Sequence, residues 1–262
     1  HTPIRRQRQM CIRDRISPSA TSPSLTDIND NGFFFRTAPS DKRGGQILAD
    51  ITKDRKIKSV AITYENSDYG KGLSEMFSLG LKNHGIKITA NISHENGKAD
   101  YSSEVATLAS AGGDAVAVLG YADQGGKGII QAALDSGAFD TFILGDGMIA
   151  KSLVATFGKD LNKSFGSMPG SLGKGASLYQ DVAKAGGVDS NGAFVRESYD
   201  AAALIVLAAQ AGNSADRASI AKNVMNVANA PGTKIYPGEL KKGLELLAKG
   251  KNVNYIGGSD VT

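Results

Sequence analysis

The chain has 262 residues, with 30 Lys and Arg against 26 Asp and Glu, and its only cysteine is Cys11. Five of the arginines, Cys11 and one acid, Asp14, lie within residues 1–15, which leaves 25 basic and 25 acidic residues in residues 16–262. A formally neutral body without thiols excludes a disulfide scaffold, a zinc ribbon and a cysteine nucleophile, and its charge predicts no nucleic-acid partner. The longest strongly apolar run, residues 201–209, is about half of the roughly 20 residues that a membrane helix needs, so we expect no membrane-spanning segment.

Residues 1–15 are interpreted as an extraneous or disordered basic leader. They carry five arginines but have no apolar h-region and no small-residue cleavage site, so they do not form a secretory signal. The run HTPIRRQRQMCIRDR is similar to translated adapter sequence, which indicates that it does not belong to the natural protein. A genuine disordered basic arm is the alternative, because a high charge density keeps such a segment unfolded.

From Phe33 onward, short β-rich runs alternate with amphipathic helical stretches. Strands are predicted at 33–37, 59–63, 86–92, 115–119, 141–144 and 164–168. Helices are predicted at 42–54, 126–136 and 149–157, and around two sets of apolar positions, Leu73, Phe77 and Leu81, and Tyr101, Val105 and Leu108. Repeated βαβ units imply a mostly parallel sheet with helices on both faces. We therefore expect an α/β fold.

The pattern changes at Pro169, after which helices dominate. They are predicted at 176–185, 196–211, 214–228 and 239–249, and only short strands near 234–236 and 252–255 interrupt them. These helices need a sheet to pack against, and the strands available here are too few. We therefore expect the rest of this sheet to lie upstream of Ile16.

Polar loops follow three of the predicted strands, at the edge where open parallel sheets bind ligands. They offer acids and tyrosines, namely Asp68, Tyr69, Tyr121, Asp123 and Asp146. Acids and tyrosines without a basic partner suit a small cation such as an ammonium group. A fourth polar run, residues 17–26, leads toward a short helix, and its hydroxyl and N–H groups suit a carboxylate. Together these features predict a site for a free α-amino acid.

Each of these candidates also has an ordinary structural role open to it. Asp146 could only stabilise a turn, because Asp is common in turns. Tyr69 could pack its ring at the start of a helix, and Ser19 and Thr21 could be plain helix caps. Their joint placement beyond the strand ends is what favours the functional interpretation.

Motifs for catalysis, cofactors and metals fail in this sequence. GDGMIA at 145–150 fits a loose dinucleotide fingerprint, but no acid stands about 20 residues further on to hold a ribose. GYADQGGKG at 120–128 lacks the Ser or Thr that would hold magnesium in a phosphate loop. His84 and His94 form no metal-binding motif, and no GxSxG elbow occurs. We therefore expect no enzyme, with no catalytic residue, no metal and no cofactor.

Several segments follow one another in a characteristic order: ISPSATSPSLT, GFFFRTAPSD, ENSDYGKGL, GYADQGGKGI, LGDGM and RESYDAAALI. From Ile16 to its end, the chain resembles the substrate-binding components of branched-chain amino-acid ABC transporters, the leucine/isoleucine/valine-binding family. The resemblance implies a two-lobe type I periplasmic-binding-protein fold with doubly wound parallel sheets. Residues 40–168 would form a complete second lobe, and residues 16–39 and 169–262 would form part of the first. The chain would then be an internal fragment with one lobe incomplete.

The resemblance also implies which residues bind the ligand. Ser19 and Thr21 match the loop that holds the amino and carboxylate groups of the amino acid. Tyr69 matches the second-lobe tyrosine that closes over the ligand, and Asp146 matches the acid that pairs with the ammonium. The leucine-type members carry a glutamate at the position of Asp146, which puts leucine-type specificity in doubt for this chain.

Two further tyrosines, Tyr121 and Tyr199, match positions near the cleft of that family. The implied function is an extracytoplasmic receptor that captures a free amino acid, branched-chain or related aliphatic, by hinge closure and delivers it to an ABC permease. We expect a periplasmic monomer that does not span the membrane and whose signal peptide lies in a missing N-terminus. The alternatives are a ligand-sensing regulatory domain of the same fold and a nucleotide-dependent enzyme built on GDGMIA.

Overall fold

The structure, a computed structural model, describes residues 15–260. Residues 1–14 and 261–262 lie outside it, and with them all of the predicted leader except Arg15. The described residues form two compact units. The first unit holds residues 15–20, 27–38 and 170–260, and the second unit holds residues 21–26 and 39–169. Within residues 15–260, no helix is long and apolar enough to cross a membrane.

Strands and helices alternate along most of the described chain. The strands are β1 (Arg15–Ser17), β2 (Phe34–Arg36), β3 (Ser59–Glu65), β4 (Lys87–His94), β5 (Ala115–Leu119), β6 (Phe142–Leu144), β7 (Phe165–Gly166), β8 (Thr233–Ile235) and β9 (Val253–Tyr255). The α-helices are α1 (Asp41–Asp54), α2 (Asp68–Asn83), α3 (Ser102–Ala111), α4 (Lys127–Asp135), α5 (Lys151–Phe157), α6 (Lys174–Ala185), α7 (Val195–Ala211), α8 (Arg217–Ala228) and α9 (Leu240–Ala248). Short helical turns lie in four loops, at Pro23–Leu25, Ala122–Gly126, Asp146–Met148 and Gly158–Leu161.

A five-stranded parallel sheet forms the centre of the second unit, in the order β4-β3-β5-β6-β7. All five residues of β5, AVAVL, are buried, as expected for a strand that is covered on both faces. One apolar core lies between the sheet and helices α1 and α2, and another lies between the sheet and helices α3, α4 and α5. Because every strand pair is parallel, the carboxyl ends of the strands meet at one edge of the sheet.

A tight turn joins β3 to α2 and brings the start of this helix to the carboxyl edge of the sheet. Ser67 caps α2, since its hydroxyl accepts a hydrogen bond from the N–H of Gly70 at 3.2 Å. Gly70 itself packs on the backbone of β3, where a Cβ atom would lie 2.2 Å from the carbonyl oxygen of Glu65. Only glycine allows so close an approach, and the turn leaves Tyr69 on the first turn of the helix.

The first unit contains two small parallel sheets, β1-β2 and β8-β9. Helices α7, α8 and α9 pack against both sheets in one apolar core, to which Ile16, Ile235 and Tyr255 contribute. In β1, Arg15 pairs with Phe34 of β2. The last residue of the predicted leader is therefore part of this sheet.

A buried carboxylate, Asp200 on α7, joins the segment after β9 to the core of the first unit. It is fully buried and accepts hydrogen bonds from the hydroxyl of Tyr255 at 2.7 Å and the N–H of Gly258 at 2.9 Å. Ser259 donates to it twice, from its N–H at 2.8 Å and from its hydroxyl at 2.5 Å. Burial and the Asp200 carboxylate raise the pKa of Tyr255 far above its usual range. These four donors replace the water that the carboxylate loses on folding.

The short segment 21–26 packs within the second unit, whereas the family resemblance places all of residues 16–39 in the first lobe. This segment contacts the start of α2, where a Cβ atom on Gly72 would lie 2.8 Å from the ring of Pro23. The hydroxyl of Ser22 donates to the carbonyl oxygen of Asp68 at 3.2 Å. A contact between residues 46 positions apart is set by tertiary packing and leaves no signal in the local sequence.

Candidate ligand-binding site

Three of the predicted site residues meet at the carboxyl edge of the sheet in the second unit. Tyr69 follows β3, Tyr121 follows β5 and Asp146 follows β6. The hydroxyl of Tyr69 donates to Oδ1 of Asp146 at 2.5 Å and accepts a hydrogen bond from the N–H of Gly147 at 3.1 Å. A helix residue and a loop residue 77 positions apart are thus joined directly.

The backbone of Gly147 lies close to both tyrosines, which is why a glycine stands there. A Cβ atom on Gly147 would lie 2.5 Å from the carbonyl oxygen of Gly120, 2.9 Å from the ring of Tyr121 and 3.1 Å from the hydroxyl of Tyr69. Any side chain would therefore push the loop away from both rings. Close packing around Gly147 therefore explains the glycine after Asp146 in the GDG sequence. A role in binding a phosphate is not needed to explain it.

Burial sets the charge properties of the Tyr69–Asp146 pair. Asp146 is 9% exposed, and burial raises the pKa of its carboxyl, while the hydrogen bond from Tyr69 partly offsets that rise. Burial and the neighbouring carboxylate raise the pKa of Tyr69 far above its usual range, so its hydroxyl keeps its proton and remains a donor. Within residues 15–260, Asp146 forms no ion pair with a Lys, Arg or His side chain. The pair therefore presents a carboxylate that lacks a cation.

Tyr121 extends this cluster toward solvent. Its ring centroid lies 5.1 Å from that of Tyr69, with the ring planes 32° apart, and its side chain is 39% exposed. Burial, followed by the carboxylates of Glu65 and Asp146, raises the pKa of its phenol. Two tyrosine faces beside a carboxylate attract a cationic group, because aromatic faces carry partial negative charge.

Ser19 and Thr21 lie in different units, Ser19 in the first and Thr21 in the second. Ser19 is exposed, and its N–H lies 3.4 Å from the hydroxyl of Ser17, which also accepts from the N–H of Ala20 at 3.1 Å. Thr21 is buried, and its carbonyl oxygen accepts from the N–H of Asp41 at 2.9 Å. Their role in ligand binding stays a prediction.

Tyr199 lies on α7 in the first unit, where it packs against other residues of that unit. Its ring centroid is 5.4 Å from that of Tyr179, and its hydroxyl accepts a hydrogen bond from the N–H of Gly238 at 3.1 Å. These contacts give Tyr199 a structural role in the loop before α9, and a role in ligand binding stays a prediction.

In the sequence, Asp123 is among the acids predicted to have no basic partner, but the structure pairs it with Lys127. Its Oδ1 lies 2.5 Å from Nζ of Lys127, one helical turn later, and it also accepts from the hydroxyl of Ser152 at 3.1 Å. The hydrogen bond from Lys127 lowers the pKa of Asp123. This acid is therefore a surface ion-pair partner, unlike the buried Asp146.

Two buried polar residues at the same edge were not among the predicted site residues. Glu65 ends β3 and His94 ends β4, and the two are directly paired in the sheet register. Glu65 is 6% exposed and His94 is 2% exposed. The available signal was their position just after a predicted strand, but their side-chain directions depend on the register of the two strands.

Residues 9–237 match a family model described as periplasmic binding protein. The chain belongs to the periplasmic binding protein family. The match begins at residue 9, so it overlaps the end of the predicted leader. This is a family of binding proteins and not of enzymes, which agrees with the failed catalytic motifs.

Similar proteins support the same assignment. The chain is 30% identical over 213 residues to Leu/Ile/Val-binding protein homolog 1 of Brucella melitensis, a match that covers 79% of this chain and 56% of that protein. Two solved structures resemble it over 82% of this chain and 62% of theirs: a leucine-binding protein from Thermotoga maritima (23% identity, TM-score 0.70) and a branched-chain amino acid transporter substrate-binding protein from Streptococcus pneumoniae in complex with isoleucine (24% identity, TM-score 0.65). The predicted family resemblance and α/β fold class are confirmed. The chain spans about half the length of the curated relatives it matches.

Proposed function

We propose that this chain is part of an extracytoplasmic receptor that captures a free amino acid and delivers it to an ABC permease. The observation that carries the proposal is the Tyr69–Asp146 pair, a buried carboxylate with no ion-pair partner within residues 15–260. It lies at the sheet edge where open parallel sheets bind ligands. The relatives named for binding leucine, isoleucine and valine support the same class of ligand.

In the proposed complex, Asp146 pairs with the ammonium group of the amino acid. The hydroxyl of Tyr69 donates to Oδ1 of the carboxylate, which leaves Oδ2 as the oxygen that binds the ligand. The faces of Tyr69 and Tyr121 add cation–π attraction to the same ammonium. Each charge-assisted hydrogen bond in a desolvated site is worth about 1.5–3 kcal/mol.

Ser19 and Thr21 are proposed to hold the amino and carboxylate groups, and Tyr199 is proposed to lie near the ligand. Binding proceeds by hinge closure, in which no bond is made or broken. Three or four charge-assisted hydrogen bonds, offset by the cost of closure, suit a micromolar affinity of about 8 kcal/mol.

The binding chemistry supports the class of ligand more strongly than the individual amino acid. Each buried methylene of an aliphatic side chain contributes only about 0.8 kcal/mol, which is less than one charge-assisted hydrogen bond. A branched-chain or related aliphatic amino acid is the proposed ligand. The receptor is proposed to work as a monomer in the periplasm, after export by a signal peptide.

The test is Asp146→Asn, made in the longer receptor of which this chain is proposed to be part. Asn keeps the shape of Asp but removes the charge that pairs with the ammonium, so we expect amino-acid affinity to fall at least tenfold by calorimetry, which corresponds to about 1.4 kcal/mol. Asp123→Asn is the matched control, because it removes a carboxylate from a neighbouring loop that is already paired with Lys127. Equal affinity in the parent and in Asp146→Asn would remove Asp146 from the site.

A further inference from the structure

Two buried polar atoms of the second unit, Oε2 of Glu65 and Nε2 of His94, have no hydrogen-bond partner. Both face the backbone of Gly120. A Cβ atom on Gly120 would lie 3.4 Å from Nε2 of His94, 3.5 Å from Oε2 of Glu65 and 3.1 Å from Cβ of Glu65. The two side chains therefore converge on one point, directly behind the residue that leads into Tyr121.

Leaving these two atoms unpaired is costly. A buried donor or acceptor without a hydrogen bond costs about 1–3 kcal/mol, and more when the group is charged. Glu65 has no cationic partner within residues 15–260, so its carboxylate needs a donor. The nearest candidate is the imidazole that faces the same point.

The other ring nitrogen of His94 decides whether it can donate. Nδ1 lies 2.8 Å from the hydroxyl of Thr63, and a hydroxyl can donate to a ring nitrogen that carries no proton. Burial lowers the pKa of His94 to about 4, while Glu104 and Glu95 act in the opposite direction. At neutral pH the ring therefore carries one proton, and with Thr63 as donor to Nδ1 that proton lies on Nε2, toward Glu65.

Since neither Oε2 of Glu65 nor Nε2 of His94 has a partner, the two side chains are not hydrogen-bonded to each other in the structure. We propose that a small rotation of the two side chains lets the imidazole of His94 donate from Nε2 to Glu65, and that this pair positions Tyr121 in the ligand site. Thr63, His94 and Glu65 then form one hydrogen-bonded series across β3 and β4. Gly120 packs directly on Glu65, so the orientation of the pair sets the backbone that carries Tyr121. Only the importance of Tyr121 rests on the proposed function, since the hydrogen bond itself does not require a ligand.

This series of hydroxyl, imidazole and carboxylate has a structural role. Thr63 is fully buried and His94 is 2% exposed, so no substrate reaches the hydroxyl. The aromatic ring of Tyr101 closes the opposite side of the imidazole, with ring centroids 6.1 Å apart and the planes at 86°. Tyr121, the residue after Gly120, is 39% exposed.

The direct test is nitrogen NMR of the His94 ring in the 262-residue chain at pH 7. We expect the proton on Nε2. Glu65→Met keeps the size of the side chain but removes the acceptor, so the proton should move to Nδ1, where Thr63 can accept it, and the ring signals of Tyr121 should shift. Glu65→Gln keeps an oxygen acceptor and should keep the proton on Nε2.

Glu95→Gln is the matched control, because it makes the same change in an acid beside His94 that hydrogen-bonds Asn66 instead. It should leave the ring proton of His94 and the ring signals of Tyr121 where they are. A proton on Nδ1 in the parent chain would overturn the proposal, and this measurement needs no variant. Unchanged His94 and Tyr121 signals in Glu65→Met would overturn it as well.

Discussion

A single buried imidazole makes the stability of the second unit depend on pH. Burial lowers the pKa of His94 from 6.5 to about 4. Between these two pH values His94 is protonated in the unfolded chain but stays neutral in the folded chain. Stability is therefore fully present above pH 6.5 and is lost as the pH falls toward 4, by up to about 3 kcal/mol. We expect urea unfolding to show that the free energy of unfolding falls more between pH 7 and pH 4 in the parent chain than in His94→Gln.

His84→Gln serves as the control for that comparison. His84 is the other histidine of the body, and its Nε2 lies 2.6 Å from Oδ1 of Asp50, near the surface. This variant should keep the parent's loss of stability between pH 7 and 4. If His94→Gln and the parent lose stability in parallel, then His94 is not the group that titrates.

At the level of single residues, the sequence predicts where side chains gather better than how they pair. Tyr69 and Asp146 could be predicted at one edge because each follows a strand of a parallel sheet. Glu65 and His94 also follow strands, but their contact depends on the β3–β4 register, which pairs them directly. The β3–β4 register is set by tertiary packing, and it includes an irregularity between Val60 and Ala61 that the local sequence does not predict.

At the level of elements, the segment after β9 depends on Asp200. Asp200→Ala leaves the hydroxyl of Tyr255 and the N–H groups of Gly258 and Ser259 without an acceptor. We expect it to reduce the free energy of unfolding of the first unit by about 3 kcal/mol or more, because hydrogen bonds to charged groups contribute about 1.5–3 kcal/mol each. Hydrogen exchange at Gly258 and Ser259 should become faster.

Asp181→Ala is the matched control, since Asp181 is an exposed acid on α6 of the same unit. It should leave both hydrogen exchange and unfolding close to those of the parent. Equal protection of Gly258 in the parent and in Asp200→Ala would show that the segment after β9 is held by other contacts.

Elements covered on both faces were the easiest to predict, and those at edges the hardest. β5 occupies residues 115–119 as predicted, because its uninterrupted apolar run has no other stable environment. β7 covers only Phe165–Gly166 instead of 164–168, since it pairs on one side alone and Pro169 follows. Helix α8 begins at Arg217, after Asp216 caps it by accepting from Ala218 and Ser219. The helix predicted at 214–228 therefore begins three residues later than expected, because Ser214 accepts from the N–H of Asp216 in the loop before the helix.

At the level of the whole molecule, the predicted site residues are divided between the two units. Tyr69, Tyr121, Asp146 and Thr21 belong to the second unit, and Ser19 and Tyr199 belong to the first. The acid and the two tyrosines proposed to bind the ammonium group therefore all lie in the unit with the five-stranded sheet. The first unit has only two-stranded sheets within residues 15–260, and the chain covers 56% of the matched Brucella melitensis relative.

This division predicts weak binding by the chain as it stands. If about two charge-assisted hydrogen bonds to the ligand carboxylate come from residues of the longer receptor outside this chain, their loss costs about 1.5–3 kcal/mol each. Affinity for leucine, isoleucine or valine should then be about 100-fold or more below that of the longer protein. This affinity can be measured by following the ring NMR signals of Tyr121 while the amino acid is added up to millimolar concentration. If the signals respond to binding at this site, Asp146→Asn should abolish the response. Micromolar binding by residues 16–262 would contradict the prediction, since the ammonium side of the site would then suffice for full affinity.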